Sequence, residues 1–301
     1  MIDITVCILS YNRPAYLREA VISVLNQTEQ PQRIVIYDNG SNPVVLEAMK
    51  DLLANGIEWK GAEANRPFIW NFNRAMLGST TRYTMVMHDD DRLTPNFLQM
   101  QTQLLDSDSN IVAASCNGYF IDEQGIRSGG TLTGTEGEPV EIFQCSGHIA
   151  LKFAGNSCVP FSPSIYRTAA ARTVQFREEF GKVCDAAYFC DLADVGAIAY
   201  RTEPLYESRL HSGQDSKHFP YDLMNQLEEF FWSRRCRDEA EKNRLHSLLV
   251  KQHTLRNIKQ FIRLLTEKDL AQAASLLLDK KFKVADAVRI LSARGIKNVL
   301  K

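Results

Sequence analysis

The run Ile4 to Leu9 (ITVCIL) carries one hydroxyl and no charge in six residues, and it constrains the fold more than any other feature. A strand with one wet face alternates polar and apolar residues. A strand this uniformly apolar must be covered on both faces, as in parallel sheets flanked by helices. The following residues supply such a cover: Pro14 opens a helix at its first turn, and Leu17, Ala20, Val21, Val24 and Leu25 recur at helical spacing. A second strand, Arg33 to Tyr37, then ends in the turn cluster Asp38-Asn39-Gly40-Ser41.

The alternation continues, as in stacked βαβ units. A helix is expected over Val44 to Leu53, a weak strand near Ile57 to Trp59, and a helix over Phe68 to Leu77. The strand Tyr83 to Met87 then runs into His88-Asp89-Asp90-Asp91. Thr94-Pro95 reads as an N-cap followed by proline at the first helical position, starting a helix to about Leu105. Ile111 to Ile121 reads as a strand, Asp122 to Gly125 as a turn, and Ser128 to Glu138 as a Gly/Thr-rich mobile loop. Beyond His218 the pattern is helical, with an apolar stripe at Leu245, Leu248, Leu249, Leu255, Ile258, Ile262 and Leu265 and another at Val284, Val288 and Leu291. A boundary is expected near Gly213 to Pro220.

Composition excludes several classes. Lys plus Arg is 35 against 36 for Asp plus Glu, a net charge of -1, so no global field favours nucleic acid. The seven cysteines are scattered with no Cys-x-x-Cys pair, which indicates neither a disulfide framework nor a zinc knuckle. No segment approaches the roughly 18 apolar residues of a membrane span. The N-terminus lacks the pattern of a secretory signal, so a cytoplasmic location is expected. Residues 251 to 301 hold 12 basic against 4 acidic residues, a net of +8. This asymmetry is compatible with peripheral contact at the anionic inner face of a membrane, and equally with packed helices that present a solvated basic face.

Ligands of open α/β sheets bind beyond the carboxyl ends of the strands. Three polar clusters fall there: Ser10-Tyr11-Asn12-Arg13, Asp38, and Asp89 to Asp91. The chain contains no G-x-G-x-x-G, no G-x-x-x-x-G-K-[ST] and no G-x-S-x-G motif, which removes most of the case for dinucleotide oxidoreductases, P-loop NTPases and serine hydrolases. Three successive carboxylates suit Mg²⁺ or Mn²⁺. A solvated helix-capping turn is the alternative, but like charges directly after an apolar strand are costly without a compensating cation.

The runs VCILSYNRPAYLREAVISVLNQT, RIVIYDNGS, Asn73-Arg74, YTMVMHDDDRLTPNFL, GNSCVPFSPSIYR, VCDAAYFCDLA and PLYESRLHSGQDS, in this order, resemble the family 2 glycosyltransferases. The resemblance covers roughly residues 4 to 216. It implies a GT-A fold with a mostly parallel central sheet, and inverting transfer from a nucleotide-sugar donor. It also implies a glycosyltransferase domain over 1–216, with a nucleotide-binding half to about 110 and an acceptor half beyond it. Residues 217–301 would form a helical C-terminal subdomain.

Carried over by position, Ser10, Tyr11 and Arg13 match the loop around the nucleotide, and Asp38 the carboxylate that reads a uracil or thymine edge, implying a UDP- or dTDP-sugar. Asn39 stands where many relatives have a second Asp. Aligned on Leu93 and Pro95, the family's D-x-D-D falls on His88-Asp89-Asp90-Asp91, with Asp90 as metal ligand and His88 replacing the first carboxylate. The replacement leaves one negative charge fewer for the cation, or shifts the ligand role to Asp89. Asp91 and His211 complete the implied metal set. Arg74 and Arg209 are implied near the donor, a structural ion pair being the alternative for Arg74. Asp185 matches the catalytic base, with helix capping as the alternative. The acceptor is expected to be a hydroxyl of a glycan or lipid-linked glycan. A sugar-nucleotide-binding protein without turnover and a sugar nucleotidyltransferase are the alternative functions, the latter lacking the usual glycine-rich loop after the first strand.

Overall fold

The computed structural model describes residues 1–40, 42–213 and 220–266. The alternation read from the sequence appears as β1 (Ile2–Ser10), α1 (Pro14–Leu25), β2 (Pro31–Asp38), α2 (Pro43–Ala48), α3 (Lys50–Leu53), β3 (Glu58–Gly61), α4 (Phe68–Gly78) and β4 (Tyr83–His88). Two-faced burial of β1 is borne out residue by residue. Ile4, Val6 and Ile8 pack in one buried cluster with Leu17, Ala20, Val21 and Val24 of α1. Cys7 and Leu9 point the other way, into a cluster with Ile69, Phe72, Ala75 and Met76 of α4. The expected helix over Val44 to Leu53 is broken into two at Met49, whose side chain is fully buried.

After β4 the chain forms β5 (Arg92–Leu93), α5 (Phe97–Ser107), β6 (Ile111–Ile121), β7 (Arg127–Thr131), β8 (Val140–Phe143), α6 (Ser146–Ala154), β9 (Ser164–Arg167), α7 (Thr168–Ala171), a 3₁₀ turn (Glu178–Val183), α8 (Cys184–Ala193) and β10 (Ala197–Arg209). One sheet contains all ten strands, in the order β3-β2-β1-β4-β9-β6-β10-β5, with β7 on β6 and β8 on β10. Strands β3, β2, β1, β4, β6 and β10 run in one direction, while β9, wedged between β4 and β6, runs in the other. The sheet is thus mostly parallel, in a GT-A arrangement.

Two expectations are corrected. Thr94 does not cap the following helix, which begins at Phe97: the Thr94 N–H and hydroxyl both donate to the Leu205 carbonyl, 3.1 and 2.9 Å away, fastening this segment to β10. Nor is Ser128 to Glu138 simply a loop. Its first residues belong to β7, and Asn117 holds the rest by accepting the Thr133 N–H at 3.0 Å and donating to the Thr133 carbonyl at 3.1 Å.

Helices α9 (Tyr221–Trp232) and α10 (Glu239–Thr266) confirm the helical pattern beyond 218 as far as they reach. Leu227, Phe231, Leu245 and Leu249 share one buried cluster with Phe180, Tyr188 and Phe189, so the pair is built onto the core of the sheet-bearing part. The stripe Val284, Val288 and Leu291, most of the basic stretch, and the boundary residues 214–219 lie outside the described residues. Among those described, no helix is long and apolar enough to cross a membrane. All seven cysteines are free thiols.

A close approach at the end of α4 gives a stability test. A Cβ on Gly78 would lie 2.1 Å from the hydroxyl oxygen of Tyr37, itself 1% exposed. Gly78→Ala is expected to lower stability by about 1 to 3 kcal/mol through overpacking, read as an earlier midpoint in urea with an unchanged slope.

Candidate functional site

The carboxyl ends of β1, β2 and β4 lie side by side, with Ser10 opposite Asp38 and Leu9 opposite His88. The Ser10 hydroxyl donates to Asp38 Oδ1 at 3.1 Å, and Asp38 is fully buried. The chain then turns through Asn12, in the left-handed region at φ 56°. Gly40 of the neighbouring loop lies so close that a Cβ there would sit 2.8 Å from Asn12 Oδ1. Tyr11 stands half exposed beside this turn. Asn39 fastens the next loop, donating to the Arg66 carbonyl at 2.8 Å and accepting the Arg66 N–H at 3.1 Å.

Each carboxylate of the triplet is bound to a different stretch of chain. Asp89 accepts the Tyr11 N–H at 2.9 Å and Arg13 at 3.1 Å, so it holds the loop after β1. Burial and the neighbouring Asp90 push its pKa up to about 7, against the pull of that N–H and of Arg13. Asp90 receives His211 Nε2 at 2.9 Å and Arg13 at 3.1 Å, both on Oδ2. Burial opposes its ionisation, but His88, His211 and Arg13 outweigh burial and hold it below the usual carboxylate range. Asp91 accepts the Tyr206 hydroxyl at 2.7 Å and the Arg209 N–H at 2.9 Å.

His88, Asp90 and Asp91 offer ligand atoms within 4.8 Å of one another. This nitrogen and oxygen set fits a divalent cation, and the electrostatics agree: desolvation works against charge on the His88 ring, yet Asp91, Asp90 and Asp89 outweigh it and raise its pKa. The cluster favours positive charge. Asp89, turned toward Tyr11 and Arg13, is not a member of the cluster, which favours the register with Asp90 as ligand. His211 reaches the cluster through Asp90. The Ser162 hydroxyl lies 3.0 Å from His88 Nδ1, and Phe72 and Phe161 flank the ring at 5.8 and 6.3 Å.

Two arginines are held by backbone carbonyls of the chain itself. Arg209, expected to close over the diphosphate, is fully buried. It donates to the carbonyls of Asp90, Asp122 and Glu123 and, at 2.6 Å, to Glu19. It therefore supports the triplet from beneath. Arg74 forms no ion pair with an acid among the described residues. Its guanidinium lies over the rings of Tyr37 and Trp70, donating to the Lys60 and Gly61 carbonyls at 2.9 and 3.1 Å.

Asp185 sits in the first turn of α8, whose N-cap is Val183, so it is the second residue of the helix rather than the cap. One oxygen accepts the Ala186 N–H at 2.8 Å. Burial raises its pKa above the usual carboxylate value. Sequence reasoning missed Tyr206, Ser162 and Glu19, which bind Asp91, His88 and Arg209. The only signal was that all three lie inside the matched segments, Tyr206 in PLYESR and Ser162 in PFSPS.

Comparison with known proteins bears on this geometry. The family model for glycosyl transferase family 2 matches residues 5–174, more than half of the chain. An uncharacterized glycosyltransferase of Haemophilus influenzae is 21% identical over 225 residues, which cover 73% of this chain and 69% of that protein. S. aureus TarS, residues 1–349, superposes with a TM-score of 0.60 at 16% identity, covering 84% of this chain and 72% of that one. The same TarS fragment has been solved in complex with UDP, at a TM-score of 0.61 and 15% identity, and with UDP-GlcNAc, at 0.59 and 16%.

Buried support and direct ligand contact have different signatures at Arg209. Arg209→Met leaves the Asp90 and Glu123 carbonyls without their guanidinium donor and Glu19 with Arg92 as its remaining partner, a loss of about 1 to 3 kcal/mol. Urea unfolding without any nucleotide is expected to show that loss. Unchanged stability would return Arg209 to the ligand side of the cleft.

Proposed function

Since the chain belongs to glycosyl transferase family 2, we propose that it transfers a sugar from a UDP- or dTDP-linked donor to a hydroxyl of a glycan or lipid-linked glycan, with inversion at the anomeric carbon. The observation that carries this reading is the convergence of Asp38, the Ser10 to Arg13 loop and the Asp90–Asp91 pair at the carboxyl ends of three adjacent parallel strands. The fold likeness to TarS, solved with UDP and with UDP-GlcNAc, supports a nucleotide-sugar donor.

In this reading Asp38 accepts an N–H of the pyrimidine base, Tyr11 offers its exposed ring to the base, and Arg13 faces the diphosphate. His88, Asp90 and Asp91 would hold a divalent cation, Mn²⁺ or Mg²⁺, which supplies positive charge against the charge developing on the departing diphosphate. His211 orients Asp90. Asp89 and Arg209 keep the loop and the triplet in place, and Arg74 shapes the wall beside β3. Asp185 takes the proton from the acceptor hydroxyl as that oxygen attacks C1, and the bond from C1 to the diphosphate breaks in the same displacement. Residues 1–216 are proposed as the transferase domain, and α9 and α10 are the described part of the proposed helical subdomain.

Asp185→Asn fills the same space but cannot accept a proton. Transfer is expected to fall by about 10² to 10⁴, with UDP affinity in Mn²⁺ unchanged by calorimetry. Because burial holds the Asp185 pKa above the ordinary carboxylate value, the base ionises later as pH rises. The acid limb of kcat is therefore expected above the pH at which a free aspartate titrates, and wild-type turnover in the Asn variant would sink the assignment. Asp90→Ala is expected to abolish the Mn²⁺ dependence of UDP binding. Asp89→Ala is expected to weaken binding in Mn²⁺ and EDTA alike, since it loosens the Tyr11 to Arg13 loop.

The basic stretch 251–301 is proposed to hold the enzyme at an anionic surface. Co-sedimentation with anionic vesicles at low salt, lost at high salt and on deleting residues 280–301, is the expected result; no sedimentation at low salt leaves the stretch a structural cap.

A further inference from the structure

Asp185 forms one wall of a small recess between α6 and α8. Ile149, Val159, Ala186 and Phe189 line its floor, each less than a tenth exposed. The half-buried Phe153, Cys158 and Asp185 stand at its mouth. The recess holds about 20 Å³, room for a single group the size of a water or a methyl. A water there would need two to four polar partners. Besides the carboxylate, the lining side chains offer only the Cys158 thiol, which burial pushes up to about 11 and so keeps neutral, a weak hydrogen-bonding group. Away from the carboxylate, this lining fits an apolar group and offers a hydroxyl no strong partner.

The position matters as much as the lining. The mouth includes the carboxylate that, on the reading above, takes the acceptor's proton, so whatever enters the recess is attached close to the attacked hydroxyl. The loop carrying Cys158 and Val159 continues into Phe161 and Ser162, which face His88. Asp185 itself lies within electrostatic reach of His88, which works against burial to lower its pKa, so the carboxylate at the recess and the cluster at the end of β4 are neighbours.

We propose that this recess receives a methyl group of the acceptor, next to the hydroxyl that is glycosylated. The acceptor is then a sugar bearing a 6-deoxy methyl or an N-acetyl methyl. The proposal rests on the reading of Asp185 as base, and the two can fail separately.

The test uses the full chain with UDP and Mn²⁺ and two pairs of methyl glycosides, L-fucoside against L-galactoside and N-acetylglucosaminide against glucoside, titrated by ligand-observed NMR. Burying one methyl is expected to favour the methyl-bearing member of one pair by about fourfold, with that methyl receiving the strongest saturation transfer. The pair that shows the preference identifies the source of the methyl. Val159→Thr keeps the shape of the floor while adding a hydroxyl, and is expected to erase the preference with UDP affinity intact. Cys158→Ser, at the mouth, gives the same readout if the first variant folds poorly. Equal binding or no binding in both pairs, or a preference that survives both variants, overturns the recess as a methyl site. Donor turnover that survives Asp185→Asn overturns the base assignment beneath it.

Discussion

Three carboxylates at the end of a fully buried strand present a charge problem that organises the rest of the molecule. Strand β4 is buried from Tyr83 to Met87, and the chain leaves it with Asp89, Asp90 and Asp91 nearly out of water as well, at 2, 7 and 5% exposure. Like charges so placed must be compensated or protonated. Each is compensated from elsewhere: Asp89 by the loop after β1, Asp90 by that loop and His211, Asp91 by the end of β10. The triplet thereby ties the end of β1 to the end of β10, strands that are not neighbours in the sheet. It also carries the chain over to β5, which pairs with β10.

Arg209 is the counterpart of that arrangement. A guanidinium is the one cationic side chain with enough donors, in a fixed plane, to bind three carbonyls and a carboxylate at once. It does so with no exposed surface, while its ring partner Tyr16 brings α1 into the same cluster, at 4.5 Å. The cost of burying the charge is offset by Glu19 and the carbonyl dipoles. What this gives the cleft is rigidity under Asp90, whose carbonyl Arg209 holds at 2.9 Å. The same residue seen in the sequence, in a polar segment aligned with a ligand-binding loop, carries no sign of the direction in which its side chain points.

Legibility in the sequence follows from where the free energy lies. Strands β1, β2 and β4 were readable because two-faced burial demands an unbroken apolar run, and α1 because its buried positions repeat at helical spacing. The family motif could be followed residue by residue because it consists of polar groups at strand ends, where little but a ligand or a neighbouring loop selects them. Strand β7 pairs with the preceding β6, but its sequence RSGGT is poor in strand-forming residues. Strands β5 and β8 have two and four residues and pair with β10, far along the chain, which no local pattern encodes. Thr94-Pro95 misled for the same reason: a local cap signal lost to a bond with Leu205, 111 residues distant. Likewise Tyr206 and Ser162 are ordinary strand and loop residues until the fold sets them against Asp91 and His88.

The two sides of the cleft set their carboxylates in opposite directions. Asp90, among imidazoles and a guanidinium, is held ionised below the ordinary range, while Asp185, beside an apolar recess, is raised. On the proposed reading this asymmetry is useful to a displacement at an anomeric carbon: a negative site that recruits positive charge for the leaving group, and a carboxylate basic enough to take a proton as the bond forms. His88 lies against Phe72 and Phe161, which pack with Phe176 at centroid distances of 5.2 to 5.3 Å. The His88 charge works to lower the Asp185 pKa but is outweighed there by burial, whereas at Asp90 the same imidazole, with His211 and Arg13, outweighs burial. The balance of desolvation against nearby positive charge is what lets the two proton affinities differ.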